Sequence, residues 1–116
     1  MSFKELDVYQ RSYKLALKVH DISLKIPKEL QFDLADQLRR SSRSVSANIA
    51  EGYSRGKSNK DVVNFLRTAL GSNDETLFHI GFSRDVQAIQ KNIADNLLAE
   101  YEVVGKQLNK LIQRFI

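Results

Sequence analysis

The side chains best suited to chemistry are a group of basic residues in the middle of the chain. Between positions 37 and 60 the sequence has six arginines and lysines and a single acidic residue, which gives this segment a charge of +5 in a chain of net charge +4. Guanidinium and ammonium groups bind anions, so this concentration indicates an anion-facing surface. The predicted phosphate contacts are Arg39, Arg40, Arg43, Arg55, Lys57 and Lys60.

Tyr53 lies between the two halves of this basic run, and we predict it as a platform on which a base stacks. The three arginines of the first half share one side of a predicted helix, where Asp36 can pair with Arg40 one turn later. Two explanations for this side stay open. It is either an ordinary solvated face or a face whose arginine forks contact phosphate.

Catalytic and metal chemistry find no support in the sequence. The chain has no cysteine, which excludes disulfides, thiolate nucleophiles and thiolate ligands. Neither of its two histidines follows a glutamate by three positions, so the Glu-x-x-His motif of di-iron bundles is missing. Residues 52–58 are similar to a phosphate-binding loop but are one residue short and follow a predicted helix rather than a strand. We predict a non-enzymatic protein that uses no metal or cofactor.

Asn48 and Glu51 are the most notable polar residues of the same helix. Asn48 borders the apolar side between Val45 and Ile49, where an amide must find hydrogen-bond partners. A partly buried asparagine often fixes the register of helical bundles. We therefore predict a structural role for Asn48, with Glu51 beside it.

Four long helices are predicted to position these residues, because the chain has only five glycines and one proline. The first begins near residues 3–8, where Ser2 with Glu5 and Asp7 with Gln10 fit capping boxes, and ends near Ile26 before Pro27. The second helix is expected to run from 28–34 to Gly52 or Tyr53 and to be followed by a turn at 54–58. The third is expected from Ser58 to about Ala88, and the fourth from a cap at Asn92 and Asp95 to the C-terminus.

The first helix has an apolar arc that is wider than one neighbour requires. One stripe holds Val8, Leu15, Val19, Ile22 and Ile26, and a second holds Leu6, Tyr9, Tyr13, Ala16, Leu17 and Leu24. Together they cover roughly 220° of the helix circumference, whereas a surface helix usually needs ~100°. Either two helices of the same chain cover both stripes, or one stripe faces another subunit.

Length and connectivity favour a single domain over residues 1–116. Short connections between long helices predict an all-α, antiparallel up-and-down four-helix bundle. The sequence has neither an apolar stretch of membrane-spanning length nor an export signal, so a cytoplasmic location without membrane attachment is expected.

Residues 37–52, and above all the run Asn-Ile-Ala-Glu-Gly at 48–52, resemble the signature of the 23S rRNA intervening-sequence protein family. Segments 6–10, 65–69 and 71–75 agree with the family in order and cover most of the chain. The resemblance implies a bacterial protein with an antiparallel bundle and a ring-shaped homopentamer. A similar bundle is the accessory variability determinant of diversity-generating retroelements, which binds nucleic acid and a reverse transcriptase.

Two functional hypotheses follow. The first is a homo-oligomeric module that binds nucleic acid, RNA in particular, through the basic side of the second helix and the following turn. The alternative is a protein-interaction scaffold whose arginines serve oligomer assembly or a partner protein.

Overall fold

The computed structural model describes residues 2–116, which contain four long helices: α1 (Asp7–Ser23), α2 (Asp36–Arg55), α3 (Asn59–Asp85) and α4 (Lys91–Gln113). Helices α1 and α3 each pack against both α2 and α4, so α1 and α3 occupy diagonal corners. The chain runs alternately up and down, and its extents of 44 × 23 × 20 Å match one long helix by two helix diameters. The predicted all-α four-helix bundle is confirmed.

The connection from α1 to α2 is longer than the sequence indicates. The final turn of α1 tightens after Ser23, where the Lys25 and Ile26 N–H groups donate to carbonyls only three residues back. A 3₁₀ turn, Lys28–Leu30, and a π-helical turn, Gln31–Ala35, then lead directly into α2. The predicted end of the first helix near Ile26 is therefore about one turn late.

Two of the predicted helix caps are confirmed and two are wrong. Ser58 caps α3 by accepting from the Asp61 N–H at 3.2 Å, and Ser2 accepts from Lys4 at 3.2 Å in a 3₁₀ turn, Phe3–Glu5. The pair Asp7 and Gln10 does not cap α1, which begins after Leu6 without a side-chain cap.

The predicted cap of the last helix, Asn92 with Asp95, is also wrong. The N-cap residue of α4 is Gln90, which makes no side-chain cap. Asp95 instead accepts hydrogen bonds from Lys91 and Arg84, and these hold the pKa of its carboxyl below the usual value. The preceding helix ends at Asp85 rather than Ala88, because Gln87 adopts a left-handed backbone conformation with φ of 64°.

The two apolar stripes of α1 have different environments. Val8, Leu15, Val19 and Ile26 of the first stripe are buried in the core. Leu6 and Ala16 of the second stripe are also buried, whereas Tyr13, Leu17 and Leu24 are 48–60% exposed. Neighbouring helices of the same chain therefore cover only part of the second stripe.

Small and hydroxylated residues line the contact between α2 and α3. The Ser41 hydroxyl accepts from Thr76 at 2.9 Å, and the Ser44 and Ser72 hydroxyls are 2.7 Å apart. Gly52 lies so close to α3 that an added Cβ would sit 3.0 Å from the Phe65 Cβ. These contacts bring the two backbones close together and fix their register.

The α3–α4 contact contains a buried amide. The Asn73 amide donates to the Tyr101 carbonyl at 3.0 Å, and both residues are almost fully buried. Burial also raises the pKa of the Tyr101 phenol well above its ordinary value. The core is thus mainly apolar, and within it the Asn73 amide N–H bonds to the α4 backbone while the Asn73 Oδ1 and the Tyr101 hydroxyl are buried without a hydrogen-bond partner among residues 2–116.

Gly56→Ala is expected to destabilise the protein. A Cβ at this position would lie 2.5 Å from the Gly52 carbonyl oxygen and 2.7 Å from Val62 Cγ2, so the α2–α3 turn must shift. Overpacking of this kind typically costs about 1–3 kcal/mol. Urea denaturation followed by circular dichroism measures the change in the free energy of unfolding.

Gly71→Ala is the matched control, because no atom lies within 4 Å of the Cβ that it adds to an exposed position inside α3. Replacement of a mid-helix glycine by alanine stabilises a helix by about 0.5–1 kcal/mol. Equal effects of the two substitutions would contradict the close contact at Gly56.

Candidate nucleic-acid interface

Arg39 is tied to its own chain rather than presented to solvent. Its guanidinium donates from Nη1 to Ser23 Oγ at 2.8 Å and to Gln31 Oε1 at 3.3 Å. The Gln31 amide in turn donates to the carbonyls of Ser23 and Ile26, each at 2.8 Å. Gln31 thus bonds to two carbonyls at the end of the first helical segment, and Arg39 joins Gln31 to Ser23 and anchors the π-helical turn.

Arg40 and Arg43 remain on the outer side of α2. Arg40 pairs with Asp36 at 2.9 Å, as the spacing predicts, and is largely exposed. Arg43 is exposed and donates from Nε to the Arg39 carbonyl at 3.2 Å. Of the three arginines in the first half of the basic run, Arg43 is the one whose guanidinium has no side-chain partner within residues 2–116.

The six predicted basic residues do not converge on one surface. Arg55, Lys57 and Lys60 lie exposed at the turn between α2 and α3, whereas Arg39 lies near the opposite end of α2. Arg55 follows Arg39 by sixteen positions in the same helix, which corresponds to about 24 Å along the axis. The +5 segment therefore forms two separate groups.

The group at the α2–α3 turn gains two residues from α4. Because α4 runs antiparallel to α3, its C-terminus returns to this end, and the Phe115 ring lies 5.9 Å from the Tyr53 ring. Lys110 and Arg114 line a groove between the end of α4 and the start of α1, and the Arg114 cation is close enough to Tyr53 to affect its phenol. We call Arg55, Lys57, Lys60, Lys110 and Arg114 the basic end.

The sequence analysis missed Lys110 and Arg114, because they lie about fifty positions away from the basic run. The signal that could have found them is the predicted topology, which places the last turn of the fourth helix beside the end of the second. Carboxylates also lie at the basic end, and two of them already accept hydrogen bonds. Asp61 accepts from the Lys57 N–H at 3.2 Å, and Asp7 accepts from Gln107 at 3.2 Å.

The local geometry of the turn adds positive potential. The first turn of α3 begins at the Ser58 cap, directly between Lys57 and Lys60. Free N–H groups at a helix start favour negative charge. The glycines of residues 52–58 are explained by packing against α3 rather than by a phosphate-binding loop, because both approach it closely.

Tyr53 is only half accessible for stacking. Its ring packs edge-on against Phe115, with an interplanar angle of 89°. Burial raises the pKa of its phenol, and the nearby Arg114 cation lowers it by a smaller amount. The predicted stacking platform thus lies at the basic end with part of its ring already covered.

Asn48 and Glu51, the two polar residues predicted to be structural, have different environments. The Asn48 amide donates to Ser44 within its own helix, to the carbonyl at 2.9 Å and to the hydroxyl at 3.0 Å. It therefore reaches α3 only indirectly, through the Ser44–Ser72 contact. Glu51 is exposed and lies on the side of α2 that faces solvent.

No group of three potential metal ligands occurs within residues 2–116. His79 Nε2 lies 3.9 Å from a Glu75 carboxylate oxygen one turn earlier in α3. Within the same residues, no helix is both long and apolar enough to cross a membrane.

Arg39→Met should destabilise the protein, because it leaves the Gln31 side chain and the Ser23 hydroxyl without their charged partner. Loss of hydrogen bonds to a charged group typically costs about 1.5–3 kcal/mol. Urea denaturation measures the loss. Arg43→Met makes the same chemical change one turn later at an exposed site, where about 0.5 kcal/mol or less is expected. A smaller loss for Arg39→Met than for Arg43→Met would contradict the structural assignment.

Comparison with known proteins gives a consistent result. A crystal structure at 1.70 Å of an S23 ribosomal protein family member of unknown function, from Bacteroides thetaiotaomicron, superposes with a TM-score of 0.83. It is 22% identical, and the match covers 91% of this chain and 95% of that one. No curated protein matches the sequence. The model of the family described as 23S rRNA-intervening sequence protein matches residues 4–110, and the chain therefore belongs to this family.

Proposed function

We propose that this protein binds RNA through its basic end as a homo-oligomer, and that it acts without catalysis. The observation that carries the proposal is that Arg55, Lys57 and Lys60 at the α2–α3 turn lie at the same end of the bundle as Lys110 and Arg114, because the C-terminus of α4 packs beside Tyr53. The family name, which refers to intervening sequences of 23S rRNA, favours RNA among the polyanions. Cytoplasm is the proposed location.

Contacts of this kind recognise the phosphate backbone more than the bases. Five cations at one end of the bundle do not enclose a deep pocket, so each copy is expected to bind weakly and with little sequence preference. Tyr53 can add one stacking contact with the accessible part of its ring. Assembly of several copies, five by the family resemblance, would multiply the weak contacts through effective concentration.

The revised surface differs from the one that the sequence predicts. Arg39 is no longer a proposed phosphate contact because its guanidinium is hydrogen-bonded to Ser23 of the same chain. Arg40 contributes less because Asp36 neutralises its charge. Arg43 remains available on the side of the bundle. Lys110 and Arg114 replace them at the basic end.

A protein-interaction scaffold is the second candidate. It is favoured by large apolar side chains that the fold leaves uncovered, of which Phe32, at 99% exposed, is the extreme case. Such residues are more typical of a protein contact than of a phosphate-binding surface. In this function the apolar surfaces would recruit a partner protein and RNA would not bind.

Substitution of Arg55, Lys57 and Lys60 together by glutamine is expected to lower RNA affinity at least tenfold at low salt. It should also reduce the slope of log affinity against log salt concentration by about 2, because each lost phosphate contact removes roughly 0.7–0.9. Fluorescence anisotropy of a labelled structured RNA at two or more salt concentrations measures both quantities.

The control replaces Lys25, Lys28 and Lys91 by glutamine, which removes the same charge from exposed sites at the opposite end. This variant should retain most of the affinity. RNA binding that is absent at low salt, or that ignores salt, would reject the proposed function. Equal losses in both triple variants would show that net charge, rather than the basic end, determines binding.

A further inference from the structure

The contact between α1 and α4 is the loosest of the four contacts between neighbouring helices. A cavity of about 400 Å³ opens along it, which we call the α1–α4 cavity. Its wall from α1 includes Arg11, Lys14, Leu15 and Lys18, and its wall from α4 includes Glu100. The volume lies within the range of small-molecule sites, roughly 300–1,000 Å³.

Three cations of α1 line this cavity from one face of the helix. Lys14 and Lys18 follow Arg11 by three and seven positions, a spacing that brings side chains to the same side of an α-helix. Like charges at this spacing repel one another and destabilise the helix. An anion bound between them would relieve the repulsion.

The carboxylates of the chain neutralise only one of these three cations. Glu100 pairs with Lys18 at 3.7 Å. Asp7 lies one turn before Arg11 on the same helix, but it accepts a hydrogen bond from a glutamine of α4 at 3.2 Å instead. In the described part of the chain, neither Arg11 nor Lys14 has an ion-pair partner. The cavity therefore holds two uncompensated positive charges.

The guanidinium of Arg11 also has an unused donor. Its Nε is buried and has no hydrogen-bond partner among the residues that the structure describes, although the side chain as a whole is only half-buried. Buried donors in native proteins are nearly always paired, so an unpaired one indicates a group that binds there. A guanidinium presents its donors in a fork that matches the oxygens of an anion. Arg11 is therefore the expected anchor of an anionic ligand.

The charge and the size of the cavity favour a phosphate monoester. Its charge of about −1.5 to −2 at pH 7 matches the two uncompensated cations, and its three terminal oxygens can accept from Arg11, Lys14 and Lys18 together. A phosphate group alone would fill only a small part of the 400 Å³. The remaining space lies beside the apolar Leu15, and the Gln10 amide at the cavity wall can bond a hydroxyl of an organic group.

We infer that the α1–α4 cavity binds a small phosphate monoester, of the size of a sugar phosphate or a mononucleotide, with Arg11 and Lys14 on its phosphate group. The site lies along the middle of α1 and α4, whereas the basic end lies at the α2–α3 turn and the C-terminus of α4. The inference thus goes beyond the proposed function and does not depend on RNA binding.

Isothermal titration calorimetry in phosphate-free buffer tests the site with adenosine 5′-monophosphate (AMP), with inorganic phosphate and with uncharged adenosine. The unaltered protein should bind one AMP per chain, bind phosphate more weakly and leave adenosine unbound. Arg11→Gln should lower the AMP affinity about tenfold or more, because it removes charge-assisted hydrogen bonds. Lys14→Gln should lower it about threefold, as expected for an exposed cation. Circular dichroism checks that both variants are folded. Lys14→Gln changes an exposed side chain and decides the test if Arg11→Gln fails to fold.

Arg43→Gln is the matched control, since it makes the same chemical change at an exposed arginine of α2 outside the cavity. The triple glutamine variant of Arg55, Lys57 and Lys60 is a second control, because it weakens the basic end and leaves the cavity intact. Both should bind AMP as the unaltered protein does.

Absence of saturable AMP binding would overturn the inference, and so would equal binding of AMP and adenosine. AMP binding that disappears in the triple variant but persists in Arg11→Gln and Lys14→Gln would place the anion at the basic end and would also overturn it. RNA affinity is a separate measurement on the same variants, so failure of the proposed function and failure of this inference are distinguishable.

Discussion

The close contact between α2 and α3 is the constraint on which the rest of the bundle depends. Glycine at position 52 lets the helices approach until Cβ positions would almost touch, and the hydroxyl pairs Ser41–Thr76 and Ser44–Ser72 fix how far one helix slides along the other. The turn between them is short as a result, with Gly56 packed against Val62. The positions of Arg55, Lys57 and Lys60 follow from this geometry.

The other helices are held by fewer and more specialised contacts. At one end, Arg39 and Gln31 join the end of α1 to the start of α2 with charge-assisted hydrogen bonds. In the middle, Asn73 joins α3 to the α4 backbone. At the other end, the rings of Tyr53 and Phe115 pack together and bring the α4 C-terminus beside the α2–α3 turn. Arg39, which the sequence predicts as a phosphate contact, therefore stabilises the fold instead.

The arrangement separates two kinds of surface. Cations from α2, α3 and α4 accumulate at the end that holds the α2–α3 turn, while uncovered apolar side chains lie on the outer sides of α1 and α3. Charged ends and apolar sides suit different partners, because phosphate contacts are strengthened by positive charge and subunit contacts by burial of apolar area. In the proposed function the charged end would contact RNA, and the apolar sides would stay available for protein contacts.

The sequence by itself determined the number of helices, the fold class, the Ser58 cap, the Asp36–Arg40 pair and the excess of apolar surface on α1. Each of these depends on residues within a few positions of one another, where helical periodicity and capping chemistry operate. Tertiary structure decided which basic residues lie together. Arg39 bonds to Ser23 of α1 and is not available as a ligand contact. The other arginines of the first half lie far from the α2–α3 turn along α2, whereas Lys110 and Arg114 at the end of α4 lie at the same end of the bundle as that turn. The physical reason is that a surface joins side chains by distance in space, and in an antiparallel bundle residues fifty positions apart come to lie side by side.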